Sequence, residues 1–164
     1  MVKHIKPFNL KQYRGSVLAE LRDIDGTLYS LQFIKPDGAK FFLSGGRIKG
    51  CFHTFGELEG ATVCHIAEGI STAATVHNWQ DGPTLAAMNA GNLLPVGLAV
   101  RQAYPNIKIV FAADNDRFNP GGNVGRDKAE EAARICNGFV LMPEFPKGSK
   151  GTDWNDYFFQ PVGD

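Results

Sequence analysis

The sequence predicts an α/β fold, in which a parallel sheet of about four strands flanked by helices is preceded by a small antiparallel β segment.

 In the first third of the chain, short apolar runs alternate with turn signals such as Asp25-Gly26, which is typical of hairpins. From Thr62 onwards, short apolar runs alternate with longer helical patterns, the order expected of parallel strands joined by right-handed crossovers.

Length and composition indicate an ordinary globular protein. The 164 residues suffice for one hydrophobic core, and the hydrophobic share of 43% is typical of such domains. No apolar run reaches the roughly 18 residues that span a bilayer, and no signal peptide opens the chain, so we expect no membrane partner and a cytoplasmic location. The scattered cysteines include no Cys-x-x-Cys pair, which favours reduced thiols over structural zinc.

Charge is distributed unevenly along the chain. Residues 1–50 hold nine Lys or Arg against four Asp or Glu, whereas the remainder holds eight against thirteen. A basic front and an acidic back suit a polyanion held beside a metal site. Together with the change in pattern, this predicts three units: a basic tether at 1–16, an antiparallel β segment at 17–58 and an α/β domain at 59–164.

The antiparallel segment is predicted as a meander whose strands are separated by glycine-containing turns. Its strands are Val17–Arg22, Leu28–Ile34, Ala39–Leu43 and Ile48–Phe52. The α/β domain is predicted as four strands, each followed by a helix. The strands are Thr62–Ala67, Thr84–Met88, Ile109–Ala112 and Phe139–Met142. The helices are one that Ser71 or Thr72 caps and that runs to Trp79, and then Leu94–Tyr104, Gly125–Cys136 and Tyr157–Phe159.

Acidic residues follow two of the predicted parallel strands. Glu68 comes after the first strand, and Asp114 and Asp116 come after the third, so all three are expected at the edge where open α/β sheets bind ligands. Carboxylates this close repel one another unless something neutralises them, and a hard divalent cation is the usual solution. The alternative is structural: the Asp pair caps the next helix, and Glu68 interacts with a helix dipole.

These motifs together resemble the Toprim domain shared by DnaG-type primases, topoisomerases and some nucleases. The family signature is Glu-Gly after one strand and Asp-x-Asp after a later one, here Glu68-Gly69 and Asp114-Asn-Asp116. Within the family, the chain resembles plasmid and phage primases of the TraC and primase–helicase type over roughly residues 17–160. Their Toprim segments carry stretches like Ala67–Ala74, Ala90–Leu93, Ala112–Asp116 and Asp153–Asp156.

The resemblance implies a Mg²⁺ or Mn²⁺ site formed by Glu68, Asp114, Asp116 and Asp153. It also implies that Glu68 is a metal ligand or the general base for an attacking 3′-hydroxyl. For Asp153, capping of the last short helix is the alternative. Many primases have a further acid four residues after the glutamate, whereas this chain has Thr72, so the acidic cluster is expected to be smaller here.

Two further sets of residues are candidate binding sites. A glycine-rich loop and the cations of the helix after it suit the phosphates of a nucleoside triphosphate, although a plain helix start is the alternative. These residues are Gly122, Gly125, Arg126 and Lys128. Basic residues on or beside the meander are predicted to hold a single-stranded DNA template. These residues are Lys35, Lys40, Arg47 and Lys49.

On this resemblance, we expect the catalytic domain of a DNA primase. It would make short primers on single-stranded DNA from nucleoside triphosphates by metal-dependent nucleotidyl transfer, with a replicative helicase as a candidate partner. Two alternatives remain open: a Toprim nuclease that uses the same acids to activate water, and a non-catalytic module that binds metal and nucleic acid. The sequence contains no zinc-binding template-recognition module and no helicase P-loop, which fits either a fragment of a larger replication protein or a minimal catalytic domain.

Overall fold

The strands of the chain form two sheets that pack against each other. The computed structural model describes residues 10–115, 117–120 and 122–159. Within these residues, a four-stranded antiparallel sheet comes first and a five-stranded, mainly parallel sheet follows. The predicted α/β class, with an antiparallel segment ahead of a parallel sheet, is confirmed.

The antiparallel sheet is built from neighbouring hairpins. Its strands are β1 (Lys11–Tyr13), β2 (Ser16–Arg22), β3 (Leu28–Ile34) and β4 (Lys40–Phe42), in that spatial order. The last three match the predicted meander, whereas β1 lies inside the range 1–16 that the sequence predicts as a tether. Arg14 and Gly15 form the turn between β1 and β2, and their φ angles of 47° and 79° are those that a tight two-residue hairpin requires.

The second sheet contains the predicted parallel strands. Its members are β5 (His53–Phe55), β6 (Val63–Ala67), β7 (Thr84–Ala86), β8 (Lys108–Ala112) and β9 (Phe139–Leu141). The spatial order is β5-β7-β6-β8-β9, in which the last four strands are parallel and β5 is antiparallel to β7. The two central strands, β6 and β8, are buried over nearly their whole length, which explains their continuous apolar sequences.

The strand predicted at Ile48–Phe52 does not form, and the side chain of Asn92 explains why. Its Nδ2 donates to the carbonyl oxygens of Ile48 and Cys51 at 3.1 and 2.9 Å, and its Oδ1 accepts from the amide of Gly50 at 2.8 Å. Backbone groups bonded to this buried amide cannot pair in a ladder. The strand begins later, as β5 in the parallel sheet, and Phe52 keeps an antiparallel bridge to Arg22 of the meander.

Helices cover both faces of the parallel sheet. They are α1 (Ile70–Trp79), α2 (Leu93–Ala103), α3 (Val124–Cys136) and α4 (Trp154–Phe159), with a 3-10 turn at Ala90–Asn92. One core lies between the sheet, α2 and α3 and includes Val96 and Phe111. The other lies between the sheet, α1, α4 and the antiparallel sheet and includes Leu21 and Val76. None of the helices in the described part of the chain has the length and apolar character that a membrane crossing requires.

Candidate active site at the carboxyl edge of the parallel sheet

Glu68 and Asp114 follow the carboxyl ends of two neighbouring strands. β6 and β8 pair in parallel with Ala67 opposite Ala112, so Glu68 comes directly after one strand and Asp114 two residues after the other. Both acidic residues are partly buried. The register therefore brings them to the same edge of the sheet, although they are far apart in sequence.

A threonine on α1 contacts Asp114. The hydroxyl of Thr72 donates to the two carboxylate oxygens of Asp114 at 3.3 and 3.2 Å, and Thr72 is buried. The prediction that Ser71 or Thr72 caps α1 is wrong, since the helix begins at Ile70 with Gly69 before it and no side-chain cap. The threonine hydroxyl orients a carboxylate instead.

The start of α3 lies close to both acids. Asn123 caps this helix, because its Oδ1 accepts from the amide of Arg126 at 2.9 Å, and its Nδ2 donates to the backbone oxygen of Asp114 at 3.2 Å. A β-carbon at Gly125 would lie 3.4 Å from Oε2 of Glu68, an ordinary contact distance, so the start of the helix lies against this carboxylate. The amino-terminal end of a helix stabilises negative charge, so the start of α3 suits a carboxylate beside it.

The segment before α4 is anchored beside Asp114. The amide of Asn115 donates to the carbonyl of Thr152 at 2.7 Å. Nε1 of Trp154, which is buried, donates to the carbonyl of Ala113 at 3.0 Å. These two bonds fix the segment on either side of Asp114, and Trp154 acts as its anchor.

Asp153 lies between these two anchoring residues and caps α4. Its Oδ1 accepts from the amide of Asp156 at 2.7 Å, and the carboxylate of Asp156 accepts from the amide of Thr152 at 2.8 Å. This is the capping geometry that the structural alternative expected. The placement beside Asp114 also suits a further acid of the site, so the assignment of Asp153 as a metal ligand stays a prediction.

Comparison with known proteins gives the family. A family model described as Toprim domain matches residues 63–162. The chain belongs to the Toprim family. Two curated relatives from Escherichia coli, both named DNA primase TraC, are 39% identical over 132 residues and 36% identical over 129 residues. The matches cover 77% and 75% of this chain but only 12% and 9% of the relatives, so the chain spans a small part of their length.

Solved primase structures share the fold of this Toprim chain. The primase fragment of the bacteriophage T7 primase-helicase protein aligns with a TM-score of 0.62 at 20% identity, over 90% of this chain and 60% of that one. The DnaG catalytic core aligns with a TM-score of 0.52 at 12% identity, over 85% of this chain and 47% of that one. At these identities the similarity shows the fold alone.

The acids of this Toprim chain have the donor chemistry of a metal site. Glu68 and Asp114 offer carboxylate oxygens at one edge of the sheet, which suits a hard divalent cation. Asp116, the second acid of the Asp-x-Asp motif, lies outside the described residues. Within the described ranges, no three His, Cys, Asp or Glu side chains form a group that could hold a metal ion. The predicted ligand set therefore stays a prediction.

The cations predicted to bind nucleotide phosphates pair with acids on their own helix. Nε of Arg126 lies 2.7 Å from Glu130, and Nζ of Lys128 lies 2.8 Å from Glu131. Hydrogen bonding to these carboxylates raises the pKa of both cations. Exposed pairs of this kind are weak, so the cations remain able to exchange partners. Gly122 adopts a left-handed φ of 83° just before the helix, and the nucleotide role of all these residues stays a prediction.

The cations predicted to bind DNA lie on two elements. Lys35 directly follows β3 and Lys40 begins β4, whereas Arg47 and Lys49 belong to the loop that Asn92 holds. Asn92 follows β7, whose carboxyl end faces the same edge as that of β6, so this loop lies at the edge that bears Glu68. The DNA-binding role of the four cations stays a prediction.

Sequence reasoning missed two contacts of the site. An asparagine just before a helical pattern is an ordinary capping signal, and it would have singled out Asn123. Nothing local predicts the bond between Thr72 and Asp114, which are 42 positions apart.

Proposed function

We propose that this chain is the catalytic Toprim domain of a DNA primase, which joins nucleoside triphosphates into short primers on single-stranded DNA. In that reaction the oxygen of a 3′-hydroxyl bonds to the α-phosphorus of the next nucleotide, pyrophosphate leaves, and the hydroxyl proton is released. The placement of Glu68 and Asp114 at adjacent strand ends is the observation that carries the proposal. The primase names of both curated relatives support it.

The chain's own residues would hold a metal and assist proton removal. Bound Mg²⁺ or Mn²⁺ would offset the charge that develops on the reacting phosphate oxygens. Asp114 would be a ligand, together with Asp116 and Asp153, and the hydroxyl of Thr72 keeps its carboxylate oriented. Glu68, which lies against the start of α3, would be a metal ligand or the general base for the 3′-hydroxyl.

The template would lie across the basic residues of the antiparallel sheet and the loop after it. The position of the loop with Arg47 and Lys49 at the carboxyl edge supports this, because it brings positive charge to the edge that bears Glu68. A replicative helicase is the proposed protein partner. The similarity in fold to a fragment of a primase-helicase protein supports that part of the proposal.

Glu68→Gln tests the function, because it keeps the shape of the side chain and removes its charge. Dinucleotide and primer synthesis by the full chain on single-stranded DNA should fall by about 10²-fold or more. Affinity for the DNA should stay near that of the unchanged chain, since carboxylates do not attract phosphates. Glu59→Gln is the matched control, because Glu59 is exposed on the segment that leads into β6, at the opposite end of the same strand.

Each outcome separates the candidate functions. Turnover that survives Glu68→Gln would remove the central residue of the primase proposal. Strand cleavage in place of primer synthesis would favour a Toprim nuclease, and DNA binding without either reaction would favour a non-catalytic module. Mn²⁺ affinity of the same variant divides the two roles of Glu68: loss of turnover alone indicates proton transfer, and parallel loss of both indicates coordination.

A further inference from the structure

The loops that follow β8 and β9 are joined beside the candidate acids. The amide of Asn115 donates to the carbonyl of Thr152 at 2.7 Å, and Nη2 of Arg117 donates to the carbonyl of Ser149 at 2.6 Å. Both loops leave the carboxyl ends of neighbouring parallel strands. The two loops therefore adjoin next to Asp114. We call their shared surface, formed by residues 117–120 and 145–152, the paired-loop wall.

Arg117 is fixed in this wall and pairs with no carboxylate among the described residues. Its guanidinium carbon lies 4.9 Å from the ring centroids of both Phe118 and Phe145, and one nitrogen donates to Ser149. Within the described residues, its other nitrogens donate to no protein acceptor. Ordering a long side chain costs conformational entropy, and no ion pair offsets that cost here. A preorganised guanidinium with unused donors is well suited to bind phosphate.

Other groups on the wall fit the same ligand. Lys147 and Lys150 flank Ser149, are exposed, and have no carboxylate partner in the part of the chain that the structure describes. Phe118 follows Asp114 by four positions and is 61% exposed, and Arg117 lies over its ring, so the exposed part of the ring is available to stack on a base. Phosphate-binding and base-stacking groups thus occur together on two adjoining loops.

We propose that the paired-loop wall is the subsite for the incoming nucleoside triphosphate, with Arg117 and Lys150 on its phosphates and Phe118 on its base. This inference rests on the proposed function and adds residues that the sequence motifs did not include. An acidic centre repels a triphosphate, so cations must surround it. Within the described residues, Arg117 and Lys150 of the wall pair with no carboxylate, whereas Arg126 and Lys128 are paired with acids along α3.

Calorimetric titration of the full chain with ATP and with inorganic tripolyphosphate, both in excess Mg²⁺, tests the subsite. Arg117→Ala and Lys150→Ala should each weaken binding of both ligands by about tenfold. Phe118→Ala should weaken ATP by about tenfold and leave tripolyphosphate within about twofold, because only ATP has a base.

Matched controls come from the opposite end of the same elements. Arg134 is an exposed arginine in the last turn of α3, and Phe139 is a 58% exposed aromatic residue at the start of β9. Replacing either by alanine should leave both affinities within about twofold. Lys150 makes no hydrogen bond or ion pair within the described residues, so Lys150→Ala tests the subsite even if Arg117→Ala disturbs the fold of the loop.

The subsite is overturned if ATP binds the Lys150→Ala and Phe118→Ala variants as it binds the unchanged chain, or if Arg134→Ala weakens ATP equally. It is also overturned if these changes weaken binding of an oligothymidylate but not of ATP, because the phosphates would then be those of the template. The test of the subsite measures ligand affinity, whereas the test of the proposed function measures turnover, so the two proposals can fail independently. If turnover survives Glu68→Gln, the ATP affinities of the wall variants still test the subsite. If those affinities are unchanged, the proposed role of Glu68 is unaffected.

Discussion

The hydroxyl of Thr72 donates a hydrogen bond to the carboxylate of Asp114, at 3.2 Å from Oδ2 and 3.3 Å from Oδ1. Thr72 stands four positions after Glu68, where the resemblance to primases leads one to expect a further acid. This chain therefore places a neutral donor where another negative charge would repel Asp114. A donor to a ligating carboxylate also fixes its orientation.

Thr72→Val should weaken Mn²⁺ binding by roughly tenfold, because the carboxylate of Asp114 loses the donor that orients it. Calorimetry measures the effect, with Asp114→Ala as the reference for loss of the ligand itself. Thr72→Ser keeps the hydroxyl and should bind Mn²⁺ nearly as well as the unchanged chain. Equal affinities for the Val and Ser variants would show that the hydroxyl does not position the carboxylate.

Asn92→Ala should destabilise the fold by about 3 kcal/mol, because it leaves several buried backbone groups without partners. The buried side chain bonds to the loop at 48–51 and also donates to the carbonyl of Ala87 at 2.7 Å. Urea unfolding measures the change in free energy. Asn89→Ala is the control, since Asn89 is exposed on the same segment and its replacement should cost less than about 0.5 kcal/mol. Similar losses in the two variants would contradict the assignment.

Stability should fall as the pH drops below about 6.5, and His65 should account for part of the slope. Burial lowers the pKa of His65 from its ordinary 6.5, with smaller contributions from Lys108 and His77 and an opposing one from Asp81. Its Nδ1 is buried without a hydrogen-bond partner in the described residues. The unfolded chain therefore binds a proton at a pH where the folded chain keeps this imidazole neutral, and protonation favours unfolding.

Replacing this residue removes that linkage. In His65→Leu, the slope of unfolding free energy against pH should be smaller by up to about 1.4 kcal/mol per pH unit just below pH ~6.5. Urea unfolding across the range from pH ~7.5 to ~5.5 measures it. An unchanged slope in His65→Leu would exclude the linkage.

Binding of single-stranded DNA should weaken steeply with salt, because phosphate contacts release counterions. Lys40→Ala and Lys49→Ala should each reduce the slope of log K against log salt by up to about 0.7. Arg47→Ala should reduce it less, since Arg47 already pairs with Asp23 at 3.0 Å. Lys108→Ala, at the amino end of β8, is the control. Affinity that does not change between low and physiological salt would refute the predicted DNA contacts.

The central strands could be predicted from the sequence, and the edges of the sheets could not. β6 and β8 are buried on both faces, so their sequences are mostly apolar, and this pattern can be recognised within each segment. The segment Ile48–Phe52 also contains apolar residues, but the side chain of Asn92 forms hydrogen bonds with its backbone. No pattern within the segment predicts these bonds. β1 was missed because three exposed residues show no burial pattern, and only the turn at Gly15 indicated a hairpin.

The same distinction holds for the candidate site. The common edge of Glu68 and Asp114 follows from a topological rule, since the ends of parallel strands meet. Capping by Asp153 is a local interaction and was anticipated as an alternative. The bond of Arg117 to Ser149 depends instead on how two distant loops meet, which the residues of either loop alone do not determine.

β5 precedes the range 63–162 that the Toprim family model matches, yet it is hydrogen-bonded along β7 in the same sheet. The range that the family model matches is therefore shorter than the segment that forms the complete sheet. A chain truncated at the start of the family match would lack β5, so the backbone of β7 (Thr84–Ala86) would form an unpaired edge of the sheet. The side chains of these residues are fully buried. Such edges recruit strands from other molecules, so we expect the shortened chain to aggregate. We therefore expect the residues ahead of the family match to protect β7 from such pairing.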